Sequence, residues 1–186
     1  MTAVAERYRA LVAAGELKPD PDQERAAEVL DALAARLARP RRGLLGLFGA
    51  SEPAPGGVYL WGGVGRGKSM LMDLAFESMA VAPKRRVHFH EFMIEVHARL
   101  REEREREESD PLPRVAGAIA SEAKLLCFDE MVVGNPADAM ILSRLFSHLL
   151  EEGVTVVTTS KCSSGSTVTS TGVFTLETAT SVRRVE

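Results

Sequence analysis

The segment Gly62-Gly63-Val64-Gly65-Arg66-Gly67-Lys68-Ser69 constrains this chain more than any other. It matches the pattern G-x-x-x-x-G-K-[ST] in full. It stands between an apolar run, Gly57-Val58-Tyr59-Leu60-Trp61, and a stretch with helical spacing from about Lys68 to Met79. Glycines let a backbone fold tightly enough for consecutive N–H groups to point at one anion. The helix that follows turns its positive end toward the same point. In such a loop Lys68 reaches the β- and γ-phosphates of a nucleoside triphosphate, and Ser69 offers its hydroxyl to magnesium. The plainer alternative is a glycine-rich turn with an incidental lysine; the strand before it and the helix after it tell against that.

A second segment completes the pattern. Leu125-Leu126-Cys127-Phe128 reads as a strand apolar on both faces, as central parallel strands are, and it ends in Asp129-Glu130. Asp129 is expected to hold magnesium directly or through water. Glu130 is expected to orient and deprotonate an attacking water. Adjacent carboxylates about 60 residues after the loop favour hydrolysis over transfer to a substrate hydroxyl. The alternative is a strand that ends in two solvated acids.

The rest of the chain fits an α/β fold. Ala5 to Ala13 and roughly 23–38 read as helices, the second with Ala26, Leu30, Leu33 and Leu37 on one face. Residues 40–57, rich in Gly and Pro, read as a linker, with Arg41 and Arg42 solvated or touching a phosphate or partner. Arg86 to Phe89 is a second strand. His90 to about Glu108 is a long helix whose charged end, Arg99 to Glu108, reads as a solvated face. Ser109 or Asp110 caps the next helix. Asn135-Pro136 opens a helix to Glu152, with Ala137, Met140, Ile141, Leu145 and Leu149 on its buried side, and Gly153 stops it. Val154 to Thr158 is a fourth strand. Strands alternating with helices predict a parallel sheet covered on both sides.

Composition limits what the site can serve. With 186 residues there is room for one domain and a proper core. A net charge of −3 supplies no field that would drive the chain onto nucleic acid. No apolar run approaches a membrane span, and two cysteines are too few for a disulfide framework, so a cytoplasmic setting is expected. Cys127, inside its strand, reads as an inert buried thiol. Met70, Met72, Met79, Met93 and Met140 read as core. His88, His90 and His97 lack the spacing of a metal motif; His88 reads as a packing residue or as a strand-end contact with the site.

On these residues the chain resembles a known family. GGVYLWGGVGRGKSMLMDL, RVHFHEFM, DPLPRVAGAIA, LLCFDE and ADAMILSRLF are similar to segments of the ZapE cell-division ATPases and their mitochondrial relatives, and so is the opening YRALVAAGELKPDPDQERAAEVLDAL. The resemblance covers about residues 6–160. It implies an AAA+-type P-loop ATPase using ATP and magnesium. Gly62, Gly63, Val64, Gly65, Arg66, Gly67, Lys68, Ser69 and Met70 would bind nucleotide, Ser69 and Asp129 would hold the metal, and Lys68 and Glu130 would be catalytic. It also implies a protein partner of the FtsZ type near the inner membrane at the division site, and a possible homo-oligomer.

The departures matter as much. Met131 stands where the family usually has Phe, and Asn135-Pro136 where it has Asp-Ile. After Thr159-Ser160 the family continues with an Asn that senses the γ-phosphate; here Lys161 follows. Residues 161–186 contain eleven Ser or Thr among 26 positions, against twelve in the preceding 160, so composition changes where the resemblance stops. A gene truncated or read out of frame after Ser160 is the expected cause; gene sequencing in which no other frame restores family-like residues would refute it. The expected organisation is a helical segment and linker (1–56), an incomplete ATPase core (57–160) and a disordered Ser/Thr-rich tail (161–186) that lacks a fifth strand and lid. Three functions follow: an ATPase that remodels a protein partner, a nucleotide-binding fragment with little or no hydrolysis, or a P-loop kinase or nucleic-acid motor. Asp129-Glu130 and the absence of a basic patch disfavour the last.

Overall fold

The computed structural model describes residues 3–38, 56–63, 65–106, 109–161, 172–178 and 181–184, the residues beyond Ser160 by their backbone. Two helices, α1 (Val4–Ala13) and α2 (Pro21–Ala38), precede the sheet. Then come β1 (Gly57–Gly62), α3 (Lys68–Ser78), β2 (Lys84–His88), α4 (Phe89–Arg106), α5 (Leu112–Glu122), β3 (Leu125–Asp129), α6 (Pro136–Glu151) and β4 (Thr155–Lys161). Two further strands, β5 (Gly172–Thr178) and β6 (Ser181–Arg184), end the described chain. The strand order is β2-β3-β4-β1-β5-β6. The first four are parallel, with Gly57 opposite Val156 and Leu125 opposite both Lys84 and Thr155. The fold is therefore the expected α/β parallel sheet with helices on both faces.

Alternation along the strands sends side chains to two separate cores. Leu125 and Cys127 of β3 and Val157 of β4 face α1, α2 and α3, together with Val58 and Leu60 of β1. Leu126 and Phe128 of β3 and Val156 of β4 face α4, α5 and α6. All five residues of β3 are buried, which explains why its sequence shows no polar alternation. Helices α1 and α2 share one core with α3 and β1, so the N-terminal pair is a layer of the sheet domain.

Several local expectations change. The tail reads in sequence as strandless, yet β5 pairs antiparallel with β1, Gly57 opposite Leu176 and Trp61 opposite Gly172, and β6 pairs with β5. The run Val173-Phe174-Thr175-Leu176 has the β-branched and aromatic content of a strand, and an open strand edge templates such a run. A fifth strand is therefore present beside β1, and it runs antiparallel. On α6, Ala137 and Met140 are exposed, and the buried stripe is Leu142, Leu145, Leu149 and Leu150. The stripe starts at Leu142, and the exposed first turn is held by Asn135, which accepts from the Asp138 N–H at 2.8 Å. Asp110, not Ser109, accepts the N–H of Leu112 at the start of α5. Residues 39–55, most of the expected linker, lie outside the described residues, as does Val64 of the loop.

Candidate nucleotide site

Strand β1 delivers the chain into the loop and α3 leaves it. Gly65 and Gly67 take positive φ, +76° and +71°. A side chain at Gly67 would be strained by that backbone and would also meet the Gln23 amide at 3.0 Å. The Lys68 ammonium folds back over the loop and donates to the carbonyls of Gly62 and Gly63 at 2.9 and 2.7 Å. A cation and the start of a helix thus share one concavity, the arrangement an anion needs. The loop is braced from α2: Gln23 donates to the Arg66 carbonyl at 3.2 Å, and Arg66 pairs with Asp20 at 3.3 Å and Asp22 at 3.6 Å. Met70 is half-buried against the α1–α3 core.

Asp129 stands at the end of β3, 8% exposed. Its Oδ1 accepts from the Ser69 hydroxyl and from the Thr159 hydroxyl, each at 3.0 Å. Its Oδ2 accepts from Arg86 of β2 at 2.6 Å. Burial alone would push the Asp129 carboxyl up; the hydrogen bonds from Arg86, Ser69 and Thr159 outweigh it and hold the group below the usual aspartate value. It is thus an anion that faces a serine hydroxyl. Hard oxygen donors of this kind, a hydroxyl and an ionised carboxylate, suit magnesium, so Ser69 and Asp129 fit the ion the loop motif implies.

Glu130, the next residue, is exposed and sits at φ +54°. That left-handed backbone costs a glutamate on the order of 1 kcal/mol. Thr159 holds it: the Glu130 N–H donates to the Thr159 hydroxyl at 3.1 Å, and the Met131 N–H to the Thr159 carbonyl at 2.7 Å. The β3 chain therefore turns sharply after Asp129, so the two adjacent acids part, one inward and one outward.

The structure brings together Gly62, Gly63, Gly65, Arg66, Gly67, Lys68, Ser69 and Asp129, with Glu130 at the rim. Two contributors escape a reading of motifs, Arg86 and Thr159. The polar run Thr158-Thr159-Ser160 at the end of an apolar strand was the available signal for Thr159; Arg86 carried none. Burial pushes the Cys127 thiol up to about 12, which makes it inert. His88 is exposed opposite Asp129 in the β2–β3 register, so it is not a packing residue, and His97 pairs with Asp138 at 2.8 Å.

A parallel sheet, a phosphate loop on β1 and a buried aspartate at the end of β3, with β4 between the two strands, define a P-loop nucleotide-binding fold of the ATPase type. Within that class the chain belongs to the AFG1-like ATPase family, whose model matches residues 2–165. The cell division protein ZapE of Escherichia coli K12 is 45% identical over 104 residues, covering 56% of this chain and 27% of ZapE. The lactation elevated protein 1 homolog B of Danio rerio is 44% identical over 121 residues, covering 60% of this chain and 24% of that protein. The chain thus spans about a quarter of the length of these relatives. Its fold is similar to domain III of the Thermotoga maritima replication initiation protein DnaA, at a TM-score of 0.51 and 16% identity, covering 77% of this chain and 53% of that one. At that identity the likeness is one of fold alone. Among the described residues no helix is long and apolar enough to cross a membrane.

Proposed function

We propose that this chain binds ATP with magnesium through Gly62–Ser69 and Asp129, and hydrolyses it slowly. The observation that carries this is the convergence of the Ser69 and Thr159 hydroxyls on a buried, ionised Asp129 beside the lysine-bearing loop. The glycine-rich backbone and the α3 N-terminus would cradle the phosphates. Lys68 would leave the Gly62 and Gly63 carbonyls to meet the β- and γ-oxygens. Ser69 and Asp129 would hold magnesium, which neutralises charge on the bridged phosphate oxygens. Glu130, exposed and set apart from Asp129 by the turn, would take the proton of an attacking water. Slow turnover is expected because Lys161 stands where the resemblance places a γ-phosphate-sensing Asn, and because phosphoryl transfer in related sites depends on an arginine supplied to the γ-phosphate.

A role in cell division is proposed on likeness to the cell division protein ZapE. A division-protein partner of the FtsZ type, a cytoplasmic setting and self-assembly are proposed on the family resemblance of the sequence alone. A fluorescent ATP analogue titrated against the purified chain tests the chemistry. Lys68→Ala is expected to weaken binding at least about tenfold, the loss of a charge-assisted phosphate contact. Binding that survives this change refutes the site. Glu130→Gln should leave binding in place and remove the residual turnover; turnover at a brisk ATPase rate by the unmodified chain, above about 1 per second, would refute the slow-hydrolysis half.

A further inference from the structure

One cation in the site serves two acids. The Arg86 guanidinium lies between Asp73 of α3 and Asp129 of β3: its Nη1 pairs with Asp73 Oδ1, and its Nη2 is 2.6 Å from Asp129 Oδ2. The two partners differ in setting. The Asp129 side chain is 11% exposed and that of Asp73 is 44% exposed. Charge is felt more strongly in the drier place, so Arg86 matters more to Asp129 than to Asp73. It also takes the carboxylate oxygen that Ser69 and Thr159 leave open.

An ion that comes to Asp129 from the Ser69 side meets a carboxylate already neutralised in part from behind. The arginine thereby lowers the attraction for a second cation, and Asp73, by sharing the arginine, restores some of it. We propose that Arg86 and Asp73 together set the magnesium requirement of this site: Arg86 weakens the hold of Asp129 on the metal, and Asp73 relieves that effect. Both act through Asp129, as positioning residues. The inference rests on the reading of Ser69 and Asp129 as the magnesium pair.

The two changes have opposite signs, which a merely structural role does not produce. The measurement is binding of a fluorescent ATP analogue as magnesium is raised, alongside its affinity in EDTA, with thermal melting to confirm folding. Arg86→Gln should lower the half-saturating magnesium on the order of threefold, and Asp73→Asn should raise it by a similar factor. In the Arg86→Gln background the Asp73→Asn change should have no further effect. Arg86→Lys, which keeps a charge but loses the two-pronged reach, should fall between the parent and Arg86→Gln. The affinity in EDTA separates general damage to the loop from a change in metal dependence. A shift of both single variants in the same direction, or additive shifts in the double variant, overturns the inference. A parent chain whose nucleotide binding ignores magnesium overturns the magnesium pair itself, and this inference with it.

Discussion

The face of the sheet that carries the phosphate loop is packed with small aliphatic side chains, Ala26, Ala27, Leu30 and Ala75 among them, whereas the opposite face gathers Phe89, Phe92, Phe128 and Phe146. On the loop face, polar contacts stitch the layers together. Asp31 of α2 accepts the N–H groups of Val4 and Ala5, at 2.5 and 3.0 Å, and so caps α1 from a distance. The Tyr8 hydroxyl meets the Asp20 backbone, and Arg7 reaches Glu77 of α3 at 2.6 Å. On the aromatic face the packing itself is specific: Phe92 and Phe128 have ring centroids 4.5 Å apart, and Phe128 stacks on Phe146 at 5.9 Å. The lesson is a division of labour. The aromatic face is specified by how its rings fit together, while the loop face adds directional contacts that hold the α1–α2 hairpin against the helix that leaves the loop.

Core truncations should separate the faces most clearly. Phe92→Ala removes a fully buried ring and should cost about 3–5 kcal/mol; Leu30→Ala, on the other face, should cost about 2–5 kcal/mol. Urea unfolding measures both. The sharper contrast lies in nucleotide affinity under folding conditions. Leu30→Ala should weaken it, because α2 also carries Asp22 and Gln23, which brace the loop, whereas Phe92→Ala should not. Equal effects on affinity would erase the distinction between the faces.

Capping comes next in size. Asp31→Ala and Asn135→Ala should each cost about 1 kcal/mol, as helix caps do. Only the first should reach the nucleotide site, since α1 and α2 lean on the loop helix. The smallest effect is on the ion pairs of the aromatic face. Hydrogen bonds from Arg85 hold Glu95, and those from Arg99 hold Glu122, below the usual value of 4.5. A carboxylate depressed in the folded state stabilises above its ordinary range and loses that contribution as pH falls through its lowered value. Stabilities of the parent and Glu95→Gln should therefore differ at neutral pH, by no more than about 1 kcal/mol for pairs this exposed, and converge as pH falls through the lowered value of Glu95.

Much of the candidate site was legible because it is local. Gly62 to Ser69 are consecutive, and their spacing alone prescribes turn, cation and hydroxyl. Asp129 announced itself as the first polar residue after four apolar ones. The charged end of α4 and the capping role of Asn135 were equally readable. Ala137 and Met140 were not, since helical spacing shows that a stripe exists but not at which residue it starts. The strand formed by Gly172–Thr178 was hidden because its short β-forming run lies in a Ser/Thr-rich tail and its pairing also needs the edge that β1 offers.

By itself, then, the sequence determined the parallel α/β class, the phosphate loop and the pair of acids after β3, each written in neighbouring residues and in the two-residue and three-to-four-residue periods that backbone geometry enforces. Tertiary structure decided what surrounds Asp129. Ser69, Arg86 and Thr159 come from a helix and two different strands, separated from it by 60, 43 and 30 residues, and only the register of β2, β3 and β4 brings them to one carboxylate. Contacts between elements depend on how strands align, and no local period carries that information.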